Sequence, residues 1–485
     1  MKGKGLFGKW KGMPNSARSA IVFVISSFLI KGITFLTTPI FTRLMDPTQY
    51  GIIATFNSWQ LIVEVFALLG LTSAGVFNVG LNDYRECRDQ YVSNVLTLCN
   101  LMTVVVFSII FAIKYFLFGS FLLPWNLIVI MFINLIFSPA KIFWLTRQKY
   151  EYKYKAAFIF TVLSTILSQA VAVLLVMTSK TDNLGEVKIW SSKLVLILLD
   201  IPVFIYIFVK GRSFFNFALW KKILILALPL IPHYLAQHVM SGADRIMLSD
   251  LSSGSASGIY SVVANIGVIA GIVWTAINAS LVPYTFEKLN NKEYDGINNL
   301  AVILIAGFAV VCVAVSLVAP EIMAILAPEK YYGGVYAVPP IIAVSFLSAL
   351  YNVYANMEFY HKKTVWIALS TVVAMVINLG LNAWLIPKFS YTGAAYTTLI
   401  SHIVLVFMHF IGYKRCCKEK IYNNNVIFLI SVICIALCVL SSFLYKFLIV
   451  RYAIIVALII VGIIKRKSII KTFKKMKERN TKKDN

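Results

Sequence analysis

The sequence has no long polar stretch, and only 13% of its 485 residues are charged. That excludes a sizeable soluble catalytic domain. Acidic residues are scarce, 20 against 45 Lys and Arg. The seven cysteines are odd in number and form no C-x-x-C pair, so neither a disulfide framework nor a zinc site is expected. Cys434 and Cys438 share a helix face and read as packing residues. No small-residue cleavage site follows the first apolar run, so that run is expected to stay as a membrane helix. The outward loops are short, the longest near residues 179–189.

Apolar residues make up 59% of the chain, and the mean hydropathy is +0.81. Soluble domains rarely exceed about half apolar. The apolar runs recur at lengths that cross a hydrocarbon core of ~30 Å, which takes about 20 helical residues. They predict an all-α polytopic membrane protein of about 14 helices, at roughly 19–41, 51–80, 92–113, 121–145, 156–178, 190–209, 222–248, 257–283, 299–326, 335–359, 364–386, 391–413, 426–445 and 450–464. The net charge of +25 could suggest nucleic acid, but Lys and Arg gather in alternate loops. With the N-terminus inside, 33 fall in inward segments, 9 in outward loops and 3 within or at the edges of spans. That is the positive-inside pattern, with both termini cytoplasmic and no nucleic-acid partner. The basic tail from Lys465 to Asn485 suits anionic headgroups. Near the N-terminus GKGLFGK imitates a P-loop, but Trp10 stands where Ser or Thr must hold magnesium. A basic, aromatic segment on the membrane surface is expected there.

Two turns look alike. Thr42 to Gly51 reads TRLMDPTQYG, and Ala243 to Val263 reads ADRIMLSDLSSGSASGIYSVV. Six spans separate them, as a parallel repeat with an axis along the membrane normal requires. At these residues the chain resembles the polysaccharide exporter branch of the multidrug/oligosaccharidyl-lipid/polysaccharide superfamily. That branch typically shows Thr-Arg-Leu-Leu-Ser-Pro then Tyr-Gly, here Thr42, Arg43, Leu44, Met45, Asp46, Pro47, Tyr50 and Gly51. Its Asp-Arg-Ile corresponds to Asp244, Arg245 and Ile246, and its Gly-x-Tyr to Gly258-Ile259-Tyr260.

The resemblance implies two six-helix lobes around a central cavity, plus a terminal helix pair. The expected organisation is a basic cytoplasmic segment (1–18), an N-terminal lobe (19–209), a cytoplasmic inter-lobe loop (210–221), a C-terminal lobe (222–413), a cytoplasmic loop (414–425), the helix pair (426–464) and the tail (465–485). The implied cargo is an undecaprenyl-diphosphate-linked oligosaccharide in the bacterial cytoplasmic membrane, moved by alternating access. Membrane lipids are expected partners, with polysaccharide polymerase and other assembly proteins acting beside it. No cofactor is expected; coupling to sodium, protons or the membrane potential stays open.

Such a cargo needs a hydrated, cation-bearing cavity. Lys31 lies near the middle of the first span, where a Lys costs roughly 2.5–3.5 kcal/mol. Ser27, Lys31, Thr34 and Thr38 make a polar stripe on one helix face. The competing reading is an ion pair with Glu64 or Asp200. Asn57, Gln60 and Glu64 share a face of helix two, and Glu64 fits a pair, a sugar site or a coupling ion equally. Asp200 is deep enough to be costly if unpaired. Helix seven carries His233, Gln237, Ser241, Asp244 and Arg245, and Pro229 and Pro232 should loosen its start. Asp244 and Arg245 fit a gate or an interfacial snorkelling pair. Arg43 suits phosphate contact or a turn-stabilising role. His233 and His238 are five apart with no acidic cluster, against a metal. Asn352, Asn356, Glu358, His402 and His409 are weaker candidates.

The preferred function is a lipid-linked oligosaccharide flippase, a transporter rather than an enzyme. A drug/cation antiporter of the same superfamily would favour acidic residues inside. A glycan polymerase or ligase would need a large outer loop.

Overall fold

A computed structural model describes residues 13–73, 75–116, 123–294, 296–417 and 419–460. The P-loop-like segment and the basic tail lie outside the described residues. The described residues are helical throughout, without a strand. A helix satisfies its interior backbone donors and acceptors within itself, which is what lipid demands of these runs of Leu, Ile, Val and Phe.

The helices are α1 Asn15–Leu44, α2 Pro47–Ala67, α3 Gly75–Asp83, α4 Arg88–Phe116, α5 Trp125–Tyr150, α6 Tyr154–Thr178, α7 Leu184–Gly211, α8 Phe217–Ala227, α9 Ile231–Leu251, α10 Gly254–Asn290, α11 Ile297–Leu317, α12 Ala319–Leu326, α13 Val338–Tyr360, α14 Thr364–Cys416, α15 Asn424–Leu440 and α16 Leu448–Ile460. Eleven helices among the described residues are long and apolar enough to cross a membrane, fewer than the expected fourteen or so. The difference has local causes. The expected spans 364–386 and 391–413 are both present, as two helical stretches of α14 that meet at a sharp kink at Ser390 (φ 51°, ψ −136°), and they count there as one. The expected span 51–80 is broken into α2 and α3 at Leu69 and Gly70, both in the left-handed region. A Cβ on Gly70 would collide with the Tyr234 ring, so only glycine fits there. As expected from Pro229, a short 3₁₀ turn, Leu228–Leu230, separates α8 from α9.

The chain forms two compact units, Met1–Ser249 and Asp250–Asn485. In the first, α7 packs against α2, α4, α5 and α6, while α1 lies chiefly on α6. Here α8 and α9 belong with the first unit, beyond the expected loop 210–221: the Trp220 indole donates to the Asn94 carbonyl at 3.1 Å. In the second unit, α13 packs against α10, α11, α14 and α15.

The two similar turns are built alike. Asp46 caps α2 by accepting from the Gln49 amide at 2.8 Å. Ser253 caps α10 by accepting from the Ala256 amide at 3.1 Å. Each cap is followed five residues later by glycine, Gly51 or Gly258.

Candidate functional site

The polar interior of the first unit is organised by α7. The Lys193 ammonium donates to the Gln60 side-chain oxygen of α2 at 2.7 Å and lies 5.6 Å from the Phe56 ring centre. Glu64, one turn beyond Gln60, is within electrostatic reach of Lys193 and hydrogen-bonds Thr72 across the break between α2 and α3. Two turns further along α7, Asp200 is fully buried and pairs with Lys141 of α5 at 3.1 Å. Near the start of α7, Lys188 stands over the Phe41 ring at 5.2 Å. No acidic side chain meets Lys188 among the described residues. Among the described residues gathered around α7, three lysines therefore meet two carboxylates. Ammonium over an aromatic face recovers part of the lost hydration, but the balance stays positive and suits an anion.

On its other side α2 turns Trp59, Ile62, Val63 and Phe66 into an apolar cavity of ~480 Å³, completed by α4 and α5. One helix thus separates a charged lining from a lipid-like one.

The expected site residues do not form a single cluster. Glu64 and Asp200 gather around Lys193. The alternative pairing of Lys31 with either is corrected by the structure: Asp200 takes Lys141, and Glu64 lies beside Lys193. The helix of Glu64, α2, packs directly on α4, α5 and α7, whereas α1 is held mainly by α6. Lys31 is exposed on α1 without an ion pair or hydrogen bond among the described residues. Its companions Ser27 and Thr34 turn back on their own helix, donating to Phe23 and Ile30 at 3.0 Å each. Arg43 is exposed and donates to the Pro39 carbonyl at 3.0 Å. Beside it, the Gln49 side chain accepts from the Gly185 amide at 2.9 Å, so this corner also anchors the start of α7.

The remaining four lie along α9. His233 sits beside Tyr234, with ring centres 5.7 Å apart. Gln237 is exposed, Asp244 is buried, and Arg245 donates to the Ser241 carbonyl at 2.6 Å. Gly242 brings α9 close to Ser58 of α2.

Sequence reasoning missed Lys141, Lys188 and Lys193 as site residues. Lys141 and Lys193 carried the same signal as Lys31, a cation within or at the edge of an apolar run. Lys188 had another: it falls in an expected outward loop and in the first turns of α7, where the charge bias and the helix dipole would disfavour a cation. In the second unit the structure joins Glu358 and His409 at 2.6 Å, both buried. His402 instead contacts its own helix, Nδ1 to the Thr398 carbonyl at 2.8 Å.

A family profile described as polysaccharide biosynthesis protein matches residues 16–289, more than half the chain. The chain belongs to that family. Among curated proteins it is 28% identical over 214 residues to the capsular polysaccharide biosynthesis protein CapF of Staphylococcus aureus, covering 41% of this chain and 52% of CapF. It is 30% identical over 143 residues to an uncharacterized membrane protein of Haemophilus influenzae, covering 28% of this chain and 34% of that one. The chain thus spans about half the length, or less, of the curated relatives it matches. Its fold is that of the lipid II flippase MurJ in an inward closed conformation: TM-score 0.65, 15% identity, covering 93% of this chain and 99% of that one. An inward-facing multidrug resistance MATE family transporter of the MOP superfamily follows at TM-score 0.56 and 14% identity, over 80% and 94% of the two chains. Family, fold and apolar helices together make this a multi-pass membrane protein of a transporter fold.

Proposed function

We propose that the protein flips an undecaprenyl-diphosphate-linked oligosaccharide repeat unit across the bacterial cytoplasmic membrane, by alternating access, for surface polysaccharide assembly. The observation that carries this reading is the interior of the first unit, where Lys141, Lys188 and Lys193 outnumber Glu64 and Asp200. An anionic headgroup suits that balance, and an organic cation does not, which disfavours the drug antiporter. Short outer loops disfavour a polymerase or ligase, which would act on the flipped product. The charge pattern of the loops supports both termini in the cytoplasm. Lys31 and Arg43 would meet the diphosphate on α1, with membrane lipids around the polyprenyl tail.

Coupling belongs to the proposal too. One charge crossing 100 mV is worth about 2.3 kcal/mol, so a diphosphate of roughly two charges gains about 4.6 kcal/mol on moving outward. A sodium ion or a proton at Glu64 or Asp200 would instead reset the empty carrier.

The deciding experiment is deletion with lipid analysis. Accumulation of a lipid-linked repeat unit in the inner leaflet is expected; a normal lipid pool would sink the reading. Lys31→Ala should lose most glycan display while protein abundance is unchanged, because Lys31 has no ion pair or hydrogen bond among the described residues. Full display at normal abundance would remove Lys31 from the site.

A further inference from the structure

The second unit holds a titratable pair that the flipping reaction, as read above, does not use. Glu358 lies in the last turns of α13 and His409 in the last turns of α14. Glu358 Oε2 and His409 Nδ1 are 2.6 Å apart, with side chains 0% and 1% exposed. The imidazole stacks on Tyr351, with ring centres 5.4 Å apart and planes at 25°. Gly412, one turn beyond His409, makes room for the carboxylate: a Cβ there would overlap both Glu358 Oε1 and the Trp366 indole. Trp366 is itself fixed, donating to the Met408 carbonyl at 2.9 Å. Glu358 Oε1 accepts no hydrogen bond among the described residues.

Among the described residues, the surroundings offer little other charge compensation. On α14, Arg415 is stacked over Trp366 at 4.6 Å, and Lys414 over Phe410 at 4.7 Å. Cys416 and Cys417 lie within electrostatic reach of Glu358, and Lys363 within reach of Cys416. From α10, Asn278 is bonded to Asn356, and Lys288 pairs with Glu293. From α15, Asn424 accepts from Tyr354. The stretch of α11 packed here has no charged residue.

A buried carboxylate with no cation beside it is costly, and so is a lone buried imidazolium. One proton shared by the pair removes both costs. It resides on Nδ1 and donates to a carboxylate, or on the carboxyl and donates to a neutral imidazole. A second proton, or none, leaves a net charge that only water can accept. His361, Lys362 and Lys363, all exposed, follow Glu358 within about one helical turn, so the route from the pair to water along the chain is shortest on that basic side.

We propose that Glu358 and His409 form a proton-binding site that exchanges its proton with the compartment on the Lys363 side as the transporter turns over. The coupling rests on the transporter reading above; the site itself does not. On release, the proton leaves Nδ1 or the carboxyl for water, and the pair keeps one negative charge until it is refilled. The turnover rate then depends on the pH of that compartment.

The test has two arms on the full-length protein. In phospholipid vesicles, infrared difference spectra after a pH step should show a carboxyl band that Glu358→Gln abolishes and His409→Asn shifts, while Glu321→Gln leaves it in place. Identical wild-type and Glu358→Gln spectra would overturn the site. In the second arm, flipping of a short undecaprenyl-diphosphate oligosaccharide is followed while pH is varied on each side. A profile set by the Lys363 side, moved several-fold by His409→Asn at unchanged abundance, is expected. A wild-type rate indifferent to that pH would overturn the coupling. No wild-type flipping at all would overturn the flippase reading, leaving the spectra to judge the proton site.

Discussion

The two units handle buried charge in opposite ways. The first holds Lys141, Lys188 and Lys193 against Glu64 and Asp200, with the Phe41 and Phe56 rings covering lysine ammoniums. The second closes its charges into matched partners. Glu358 meets His409, and Arg451 grips Glu321 through two nitrogens, each at 2.8 Å. Its buried hydroxyls pair as well, Ser316 with Ser441 at 2.7 Å. An interior left positive is unstable without a counter-charge, and the proposed function supplies one in the anionic headgroup. A closed interior reads as scaffold unless, as with Glu358 and His409, a proton is the visitor.

The sharpest way to break this comparison is to unbalance the first unit further. Lys141→Ala strands the fully buried Asp200, and losing one member of a buried pair costs about 3–5 kcal/mol. Thermal unfolding in detergent should fall steeply, and adding Asp200→Asn should recover most of the loss. A single variant as stable as wild type would show that the pair is not buried as described.

In the second unit the equivalent stress is steric. Gly412→Ala pushes a methyl group into Glu358 and Trp366, and overpacking of this kind costs about 1–3 kcal/mol. A lower melting temperature is expected, together with a displaced infrared carboxyl band. An unchanged melting point would mean that α13 and α14 separate freely there.

Caps sharpen the comparison at a smaller scale. Asp46→Ala and Ser253→Ala each remove one cap and should cost about 1 kcal/mol. Equal losses measured by unfolding would support the equivalence of the two turns. A loss at only one would make that likeness superficial.

The smallest effect is expected at the ends of α4 and α5. Burial alone would raise the Glu151 carboxyl, but hydrogen bonds and charge from Arg147 and Lys153 outweigh it and hold the group below its ordinary range. A lowered folded value adds stability at neutral pH that is lost as pH falls through it. Glu151→Gln should therefore narrow the stability gap between neutral and acidic buffer, measured by melting temperature. A gap as wide as wild type would remove Glu151 from the acid response.

Much of this fold was legible from apolar periodicity, because lipid imposes one solution on a backbone that must satisfy itself. The break at Leu69–Gly70 was not, since α2 and α3 read as one apolar run and nothing local forces the turn. Tyr234, far away in sequence, occupies the place a side chain would need. The kink inside α14 was legible, because the expected spans 364–386 and 391–413 leave a gap that holds Ser390. For the site, depth in the apolar run found Lys31, Glu64 and Asp200. Partners were another matter: the competing reading mated Lys31 with either acid, and Lys141 and Lys193 hold those places instead.

By itself, then, the sequence determined that this is an all-helical membrane protein with an excess of cations, because hydropathy and charge are local properties that a bilayer reads directly. Tertiary structure alone decided which lysine meets which carboxylate, and which glycine yields its space to Glu358. Those choices depend on how helices rotate against one another, and distant side chains fix that rotation.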